Sequence, residues 1–444
     1  MKPLTFPLLE QTVKTLACLL ILCAPLLPQD SPEQERSPAD IAPGQIQLVE
    51  TAPIETDLGS DDLPETWEVW IDMLEHADET VDLLHFYATT REGSRMEKVI
   101  AALFAAADRG VQVRFLLDER FRAEYPETMD RIAMHDGIAL RRIAFGELQT
   151  LDPNDGNAMR GGVQHAKAMV VDAEDVYIGS ANFDWRSMEH IQELGIRARS
   201  REIAGAVLAC FEADWSDATY GELEEGRSKT PRVSHGPSAL TLGFRDGDQI
   251  SDVRVLAVVS PGGPNDPAGE KAAMHDLTAI LRLLEGAQET IRVQLLTYDA
   301  EAYGSGYWPE LENALRAAAS RSVRVELLVA DWSKVPGRID RLKSLQCLPN
   351  VEVRLVTIPE WSEGFEPFSR VIHAKYLVVD GRQAWLGTNN WQRGYFYEGR
   401  NLGVVVDGAA FSERLSKFFA ATWGSAYAET LDPGKEYTRP RVSK

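Results

Sequence analysis

Cysteine and basic charge are both scarce in this 444-residue sequence, and each shortage excludes something. Of four cysteines, Cys18 and Cys23 fall in an N-terminal apolar segment, leaving Cys210 and Cys347 in different halves of the chain. That excludes a disulfide-built scaffold, and the two remaining cysteines read as buried free thiols. Lys and Arg total 46 against 68 Asp and Glu, a formal charge of −22. A protein that coats long duplex nucleic acid through a basic surface is thereby excluded. An enzyme that holds one phosphodiester in a locally basic pocket is not. Long apolar runs are missing beyond the N-terminus, which rules out a polytopic membrane protein. His76, His85, His135, His190, His235 and His275 lack metal-ligand spacing and read as surface or satisfied core residues, so neither a metal nor a cofactor is expected.

Hydrophobic residues make up 44% and charged residues 26%, the composition of a globular chain with real cores, at a length that suits two or three domains. Residues 16–27 (LACLLILCAPLL) follow Lys2 and Lys14 and precede a Pro-rich acidic stretch. They are too short for a comfortable bilayer span and read as the apolar part of a secretory signal, residues 1–28, followed by a linker at 29–44. The expectation is a secreted, envelope or lumenal protein, tethered to a membrane if the signal is not cleaved. The sequence contains no Asn-x-Ser/Thr sequon to say more about compartment.

The body of the chain is an internal duplication. Residues 77–83 (ADETVDL) match 287–293 (AQETIRV), and 109–114 (RGVQVR) match 321–326 (RSVRVE). Residues 164–172 (QHAKAMVVD) match 372–380 (IHAKYLVVD), and Trp215 matches Trp423. Blocks in the same order at nearly constant offset mark a duplicated domain rather than a solenoid. Within each copy, strand patterns (111–117, 165–172; 323–329, 373–380) alternate with helical patterns (96–110; 309–321). This predicts an α/β architecture with a mostly parallel or mixed sheet in each of two lobes, 45–225 and 253–435. Residues 226–252 read as a connector and 436–444 as a solvated tail.

Each copy carries His-x-Lys-x4-Asp-x6-Gly-[Ser/Thr]-x-Asn. The first set is His165, Lys167, Asp172, Ser180 and Asn182; the second is His373, Lys375, Asp380, Thr388 and Asn390. Two residues apart on a strand, His and Lys share a face. The Asp marks the following turn, and the next strand returns a hydroxyl and an amide toward the His. Each copy thus supplies an imidazole, an ammonium and an amide donor, a set suited to phosphate oxygens. Two copies can bring both imidazoles to one phosphorus, one to attack and one to protonate the departing oxygen. The lysines and asparagines would neutralise the non-bridging oxygens. Asp172 and Asp380 read as structural supports of the strand turn.

These paired motifs resemble the signature of the phospholipase D superfamily, over the whole chain after the N-terminal segment. Residues 178–187 (IGSANFDWRS), 192–195 (QELG) and 387–391 (GTNNW), with Tyr395, Phe396 and Glu398, resemble its lysosomal 5′-exonuclease branch. Residues 307–309 (YWP) and Asp331-Trp332 fit the same branch. The resemblance implies two homologous α/β/α lobes related by a pseudo-two-fold, with one active site at their interface. It also implies a metal-independent phosphodiesterase working through a phosphohistidine, with His165 as nucleophile and His373 as general acid. Glu193, eleven residues after Asn182, matches the superfamily acid that orients a histidine. The same place in the second copy is Asn401, a departure from the pattern, and Glu398 is expected to serve there instead.

The leading expectation for substrate is single-stranded nucleic acid entered from its 5′ end, with Trp185, Trp332, Trp391, Tyr395 and Phe396 as candidates to stack a terminal base. The alternative is phospholipid chemistry, hydrolysis or headgroup exchange of the cardiolipin-synthase kind, with peripheral membrane contact. A catalytically dead binding module would have been expected to lose a His or Lys from one copy, and both copies are complete. The duplication already supplies both halves of the site, so no obligatory protein partner is expected.

Overall fold

The computed structural model describes residues 41–443 apart from 61, 146–161, 219, 222–237, 261–273 and 303–305. The apolar N-terminal segment, most of the linker, His235 and the first part of the connector therefore lie outside the described residues. Ile41, at the end of the linker, is buried, and its carbonyl accepts from Arg199.

The two lobes repeat one topology. In the first, strands Ile138–Ile143, Gln112–Asp118 and Thr80–Leu84 run parallel, followed by antiparallel Ala168–Val171, Asp175–Gly179, Glu193–Arg199 and Gln45–Thr51. In the second, Val351–Val356, Arg324–Ala330 and Thr290–Leu295 run parallel, followed by antiparallel Tyr376–Val379, Gln383–Gly387, Leu402–Asp407 and Gln249–Val259. The expected connector is partly strand. Leu240–Asp246 pairs in parallel with Gln45–Thr51 and antiparallel with Gln249–Val259, so it stitches the two sheets together. The described residues form one compact unit.

Strand alternation divides the apolar side chains between cores. Val113, Phe115 and Leu117 point into an outer core of the first lobe, with Met169 and Val171. Leu116, Ala168 and Val170 point the other way, into a central core that also takes Leu328, Val378 and Leu386 from the second lobe. Helices Arg201–Asp217 and Ala409–Trp423 fill that shared core through Phe211, Trp215, Leu415 and Phe419. Helix Arg95–Asp108 covers the outer face of the first lobe; Met96, Val99, Ile100, Leu103 and Ala107 recur at helical spacing and are buried. It ends where Gly110 turns left-handed at φ +92°. The matching helix Glu310–Ser320 ends the same way, with Ser322 at φ +69°.

Asp172 and Asp380 explain their places in the motif. Each follows its strand with positive φ, and each carboxylate accepts three backbone N–H bonds. Asp172 takes those of Asp78, Glu79 and Thr80 at 2.8–2.9 Å; Asp380 takes those of Gln288, Glu289 and Thr290 at the same distances. They tie the turn to the start of the adjacent strand and stand away from the imidazoles.

One expectation needs correction and another refinement. Cys210 is buried but Cys347 is exposed, because it caps the end of helix Arg338–Gln346 rather than facing the core. The C-terminal segment is exposed as expected, Arg439 and Arg441 included, but it is not free: the Val442 carbonyl accepts from the Phe368 N–H at 2.9 Å, and the Arg441 guanidinium lies 4.0 Å from the Phe365 ring centre.

The lobes are also joined by a buried ion pair. Arg400 donates to both Asp214 oxygens at 2.7 and 2.8 Å and to the Ser260 carbonyl at 2.8 Å. Asp214→Ala would strand this guanidinium in the interior. It is expected to lower unfolding free energy by about 3–5 kcal/mol, read from urea titration.

Candidate active site

The active-site histidines are held by the opposite lobe before any side chain is considered. The His165 N–H donates to the Arg400 carbonyl at 2.9 Å while the Arg400 N–H donates to the Val163 carbonyl. The His373 N–H donates to the Gln192 carbonyl at 2.9 Å while the Gln192 N–H donates to the Val371 carbonyl. Both His-x-Lys segments lie in the extended lead-in just before strands Ala168–Val171 and Tyr376–Val379, not within them. Freed from a ladder on that stretch, the chain can make these bridges across the lobe boundary.

The side chains repeat the exchange. His373 Nδ1 lies 2.8 Å from Glu193 Oε2, and His165 Nδ1 lies 2.9 Å from Asn401 Oδ1. Ser180 Oγ donates to Glu193 at 2.5 Å and Ser187 Oγ donates at 2.8 Å, so the carboxylate is fully engaged. Thr388 Oγ1 donates to Asn401 Oδ1 at 2.9 Å in the equivalent place. Lys167 Nζ donates to the His165 carbonyl at 2.7 Å, and Lys375 Nζ to the His373 carbonyl at 2.5 Å. Asn182 Oδ1 and Asn390 Oδ1 are buried without a protein partner. Close glycines admit this construction: a Cβ on Gly179 would come within 2.7 Å of the Gly195 Cα.

Burial dominates the electrostatics. It pushes His165 well below its ordinary value, reinforced by the Lys167 and Lys375 ammonium groups. Burial brings His373 down to about 4, against the pull of Glu193. Lys375 falls to about 7 through burial, again opposed by Glu193, and Lys167 is lowered by burial and by Lys375. Burial pushes the Glu193 carboxyl upward, but His373, Lys375 and Ser180 outweigh it and hold it below the usual range. Both imidazoles and both ammonium groups are buried, and Lys375 and His373 of the second lobe act on His165 of the first. Among the described residues, no group of three His, Cys, Asp or Glu is arranged to hold a metal ion.

Glu398 is not at a histidine. It is paired with Arg393 at 2.5 Å, and Asn401 occupies the place expected for it, because the strand Leu402–Asp407 carries residue 401 to the interface. Of the aromatic candidates, Tyr395 lies beside His165 with ring centres 4.7 Å apart. Trp391 and Phe396 are wholly buried in the outer core of the second lobe, Trp185 packs on His190, and Trp332 packs near Phe368. The second ring at His165 is one the sequence reading does not name. Phe86 lies 5.0 Å from that histidine and leads to Phe121, Tyr87 and Tyr125. The run HisPheTyr at 85–87 was the available signal. His85 itself is fully buried with neither ring nitrogen hydrogen-bonded, enclosed by Trp70, Phe115 and Phe183.

A family model described as "Cardiolipin synthase, PLD-like domain" matches twice, at residues 70–215 and 280–423. The chain belongs to the phospholipase D superfamily. Phospholipase D Z of Dictyostelium discoideum is 28% identical over 87% of this chain and 90% of its own length. The mouse 5'-3' exonuclease PLD4 is 30% identical over 87% of this chain and 80% of its own, which places the chain with the exonuclease-containing branch. The crystal structure of phosphatidylserine synthase from Haemophilus influenzae shares the fold, with a TM-score of 0.56 over 82% of this chain and 85% of that one at 12% identity. The chain is accordingly a phosphodiesterase of this superfamily, with the two motif copies as its repeated lobes.

Asp172→Ala and Asp380→Ala each leave three N–H groups without their acceptor. Each is expected to cost about 1–3 kcal/mol of stability, while kcat per folded molecule stays within about tenfold. Thermal unfolding alongside active-site-normalised turnover checks both halves.

Proposed function

We propose that this phosphodiesterase removes nucleotides from the 5′ end of single-stranded nucleic acid through a covalent phosphohistidine. One imidazole attacks phosphorus while the other protonates the leaving oxygen; the second then takes a proton from the water that attacks phosphorus, and the P–N bond breaks to free the first. Lys167, Lys375 and the side-chain amides of Asn182 and Asn390 hold the non-bridging oxygens, and burial strengthens these contacts by excluding solvent.

The observation that carries the substrate reading is the run of rings beginning at His165. Phe86 and Phe121 are 4.4 Å apart, Phe121 and Tyr87 5.1 Å, and Tyr87 stacks on half-buried Tyr125 at 5.0 Å. Arg186, fixed by Asp184, donates to the Tyr125 hydroxyl at 3.1 Å and adds a cation beside the rings. Phe86, Tyr87 and Phe121 are buried in the outer core and hold Tyr125 in place; Tyr125, half-buried, is the ring of this run open to a base, and stacking on it is sequence-tolerant. A lipid-cleaving site calls instead for an apolar rim, whereas the large apolar side chains exposed among the described residues, Met134, Ile250 and Tyr307, stand on separate elements.

Purified protein in EDTA is expected to release mononucleotides from a 5′-hydroxyl single-stranded oligonucleotide. His165→Ala and His373→Ala should each lose on the order of a thousandfold or more in kcat. Tyr125→Ala should raise KM for the oligonucleotide with little change on a p-nitrophenyl phosphodiester. Headgroup release from phosphatidylglycerol vesicles without nucleotide release would overturn the nucleic-acid reading.

The pH dependence follows from the charged forms the chemistry uses. His373 and Lys375 must carry protons, and burial disfavours those protons, to about 4 and about 7 respectively. Each proton is lost as pH rises through its value, so kcat/KM is expected to be highest on the acid side of neutrality and to fall with rising pH.

A further inference from the structure

His165 and His373 hold equivalent places, yet the acceptors behind them differ in charge: a carboxylate, Glu193, behind His373 and an amide, Asn401, behind His165. The amide's orientation is settled by its neighbours. Asn401 Nδ2 faces the Tyr395 carbonyl at 2.7 Å, and a carbonyl can only accept, so that end is the NH2 group. Oδ1 is therefore the atom facing Thr388 and His165. The Leu402 N–H donates to Thr388 Oγ1 at 3.1 Å, which leaves the hydroxyl proton for Asn401 Oδ1. Facing an oxygen that can only accept, His165 Nδ1 must carry the hydrogen, and Nε2 keeps its lone pair.

We infer that Asn401 is a positioning residue that holds His165 as the neutral Nδ1–H tautomer, so that the division of roles the resemblance implies, His165 attacking and His373 carrying the proton, rests in this chain on the exchange of amide for carboxylate. The inference rests on the phosphohistidine reading above. A carboxylate behind an imidazole favours its protonated form; an amide adds no charge. The groups facing His165 are Lys167 from its own segment, Lys375 and His373 from the other lobe, and Asn401. The Phe86 and Tyr395 rings close the remaining sides. Asp118 is nearby but is occupied by the Gln164 and Arg120 N–H groups, and burial raises it to about 6. His373 faces Glu193, Lys375 and Lys167. A single proton shared by the two imidazoles therefore resides on His373.

The step balances as follows. His165 Nε2 forms the N–P bond as the P–O bond to the leaving group breaks, and the leaving oxygen takes the Nε2 proton of His373. Water then attacks phosphorus and gives a proton back to His373, the P–N bond breaks, and His165 recovers its lone pair.

The test uses the full chain and bis(p-nitrophenyl) phosphate, a probe independent of the natural substrate. Asn401→Asp keeps the side chain's size and places a carboxylate on His165 Nδ1. It should raise the affinity of His165 for a proton and move the acid limb of kcat/KM to higher pH by about one unit. Glu193→Gln should move the basic limb to lower pH, because His373 then holds its proton less firmly. Rapid quench of the unaltered chain, with mapping by mass spectrometry under alkaline conditions, should place the phosphoryl adduct on His165. An adduct on His373, or an acid limb that stays put in folded Asn401→Asp, overturns the inference. Turnover with no adduct on either histidine removes the covalent reading beneath it, a distinct outcome.

Discussion

Each motif imidazole belongs to one lobe and is held by the other, through a pair of backbone hydrogen bonds and through the acceptor on Nδ1. His165 sits between the Arg400 carbonyl and Asn401; His373 sits between the Gln192 carbonyl and Glu193. Neither lobe alone could fix its own histidine, so the geometry of the site is a property of the junction. The stitched sheet, the central core shared by helices Arg201–Asp217 and Ala409–Trp423, and the Arg400–Asp214 pair all keep that junction rigid. Arg400 makes the dependence plain, since its backbone carbonyl receives the His165 N–H while its guanidinium is anchored in the first lobe.

The junction also sets the chemistry. Four cationic or potentially cationic groups are buried together, at a cost that only a bound anion or a buried carboxylate can offset. Glu193 supplies one negative charge and spends its lone pairs on His373, Ser180 and Ser187. A bound anion would supply the other. On the proposed reading that anion is the phosphodiester, and the fixed groups around it would stabilise transition-state charge on phosphorus without reorganisation.

Much of this was legible before any coordinates. The duplication, the α/β alternation and both His-Lys-Asn sets follow from residue identity and spacing, because strand and helix periods and a repeated motif are local properties. The structural role of Asp172 and Asp380 was readable too, since a carboxylate after a strand is suited to collecting N–H groups at a turn. Leu240, Leu242 and Phe244 do alternate with non-apolar residues as in a strand, but inside a polar stretch whose parallel partner, strand Gln45–Thr51, lies nearly two hundred positions away, so the strand shows only in the fold. The resemblance points to Glu398 where the pattern has Asn401, and only the path of the chain shows which of the two reaches His165. Tyr395 beside His165 is legible from the motif, whereas Phe86 on its other side, with Phe121 and Tyr125 beyond it, joins it only in the fold.

By itself, then, the sequence determined the reaction centre: two imidazoles, two ammonium groups and two amides at matched spacing, in a chain too acidic to bind nucleic acid through its general surface. Those features depend on covalent order and short-range geometry. The tertiary structure alone decided which lobe orients which histidine, that one acceptor is charged and the other neutral, and which aromatic rings face the chemistry. All three depend on contacts between residues far apart in the chain, where packing across the lobe boundary outweighs any local preference.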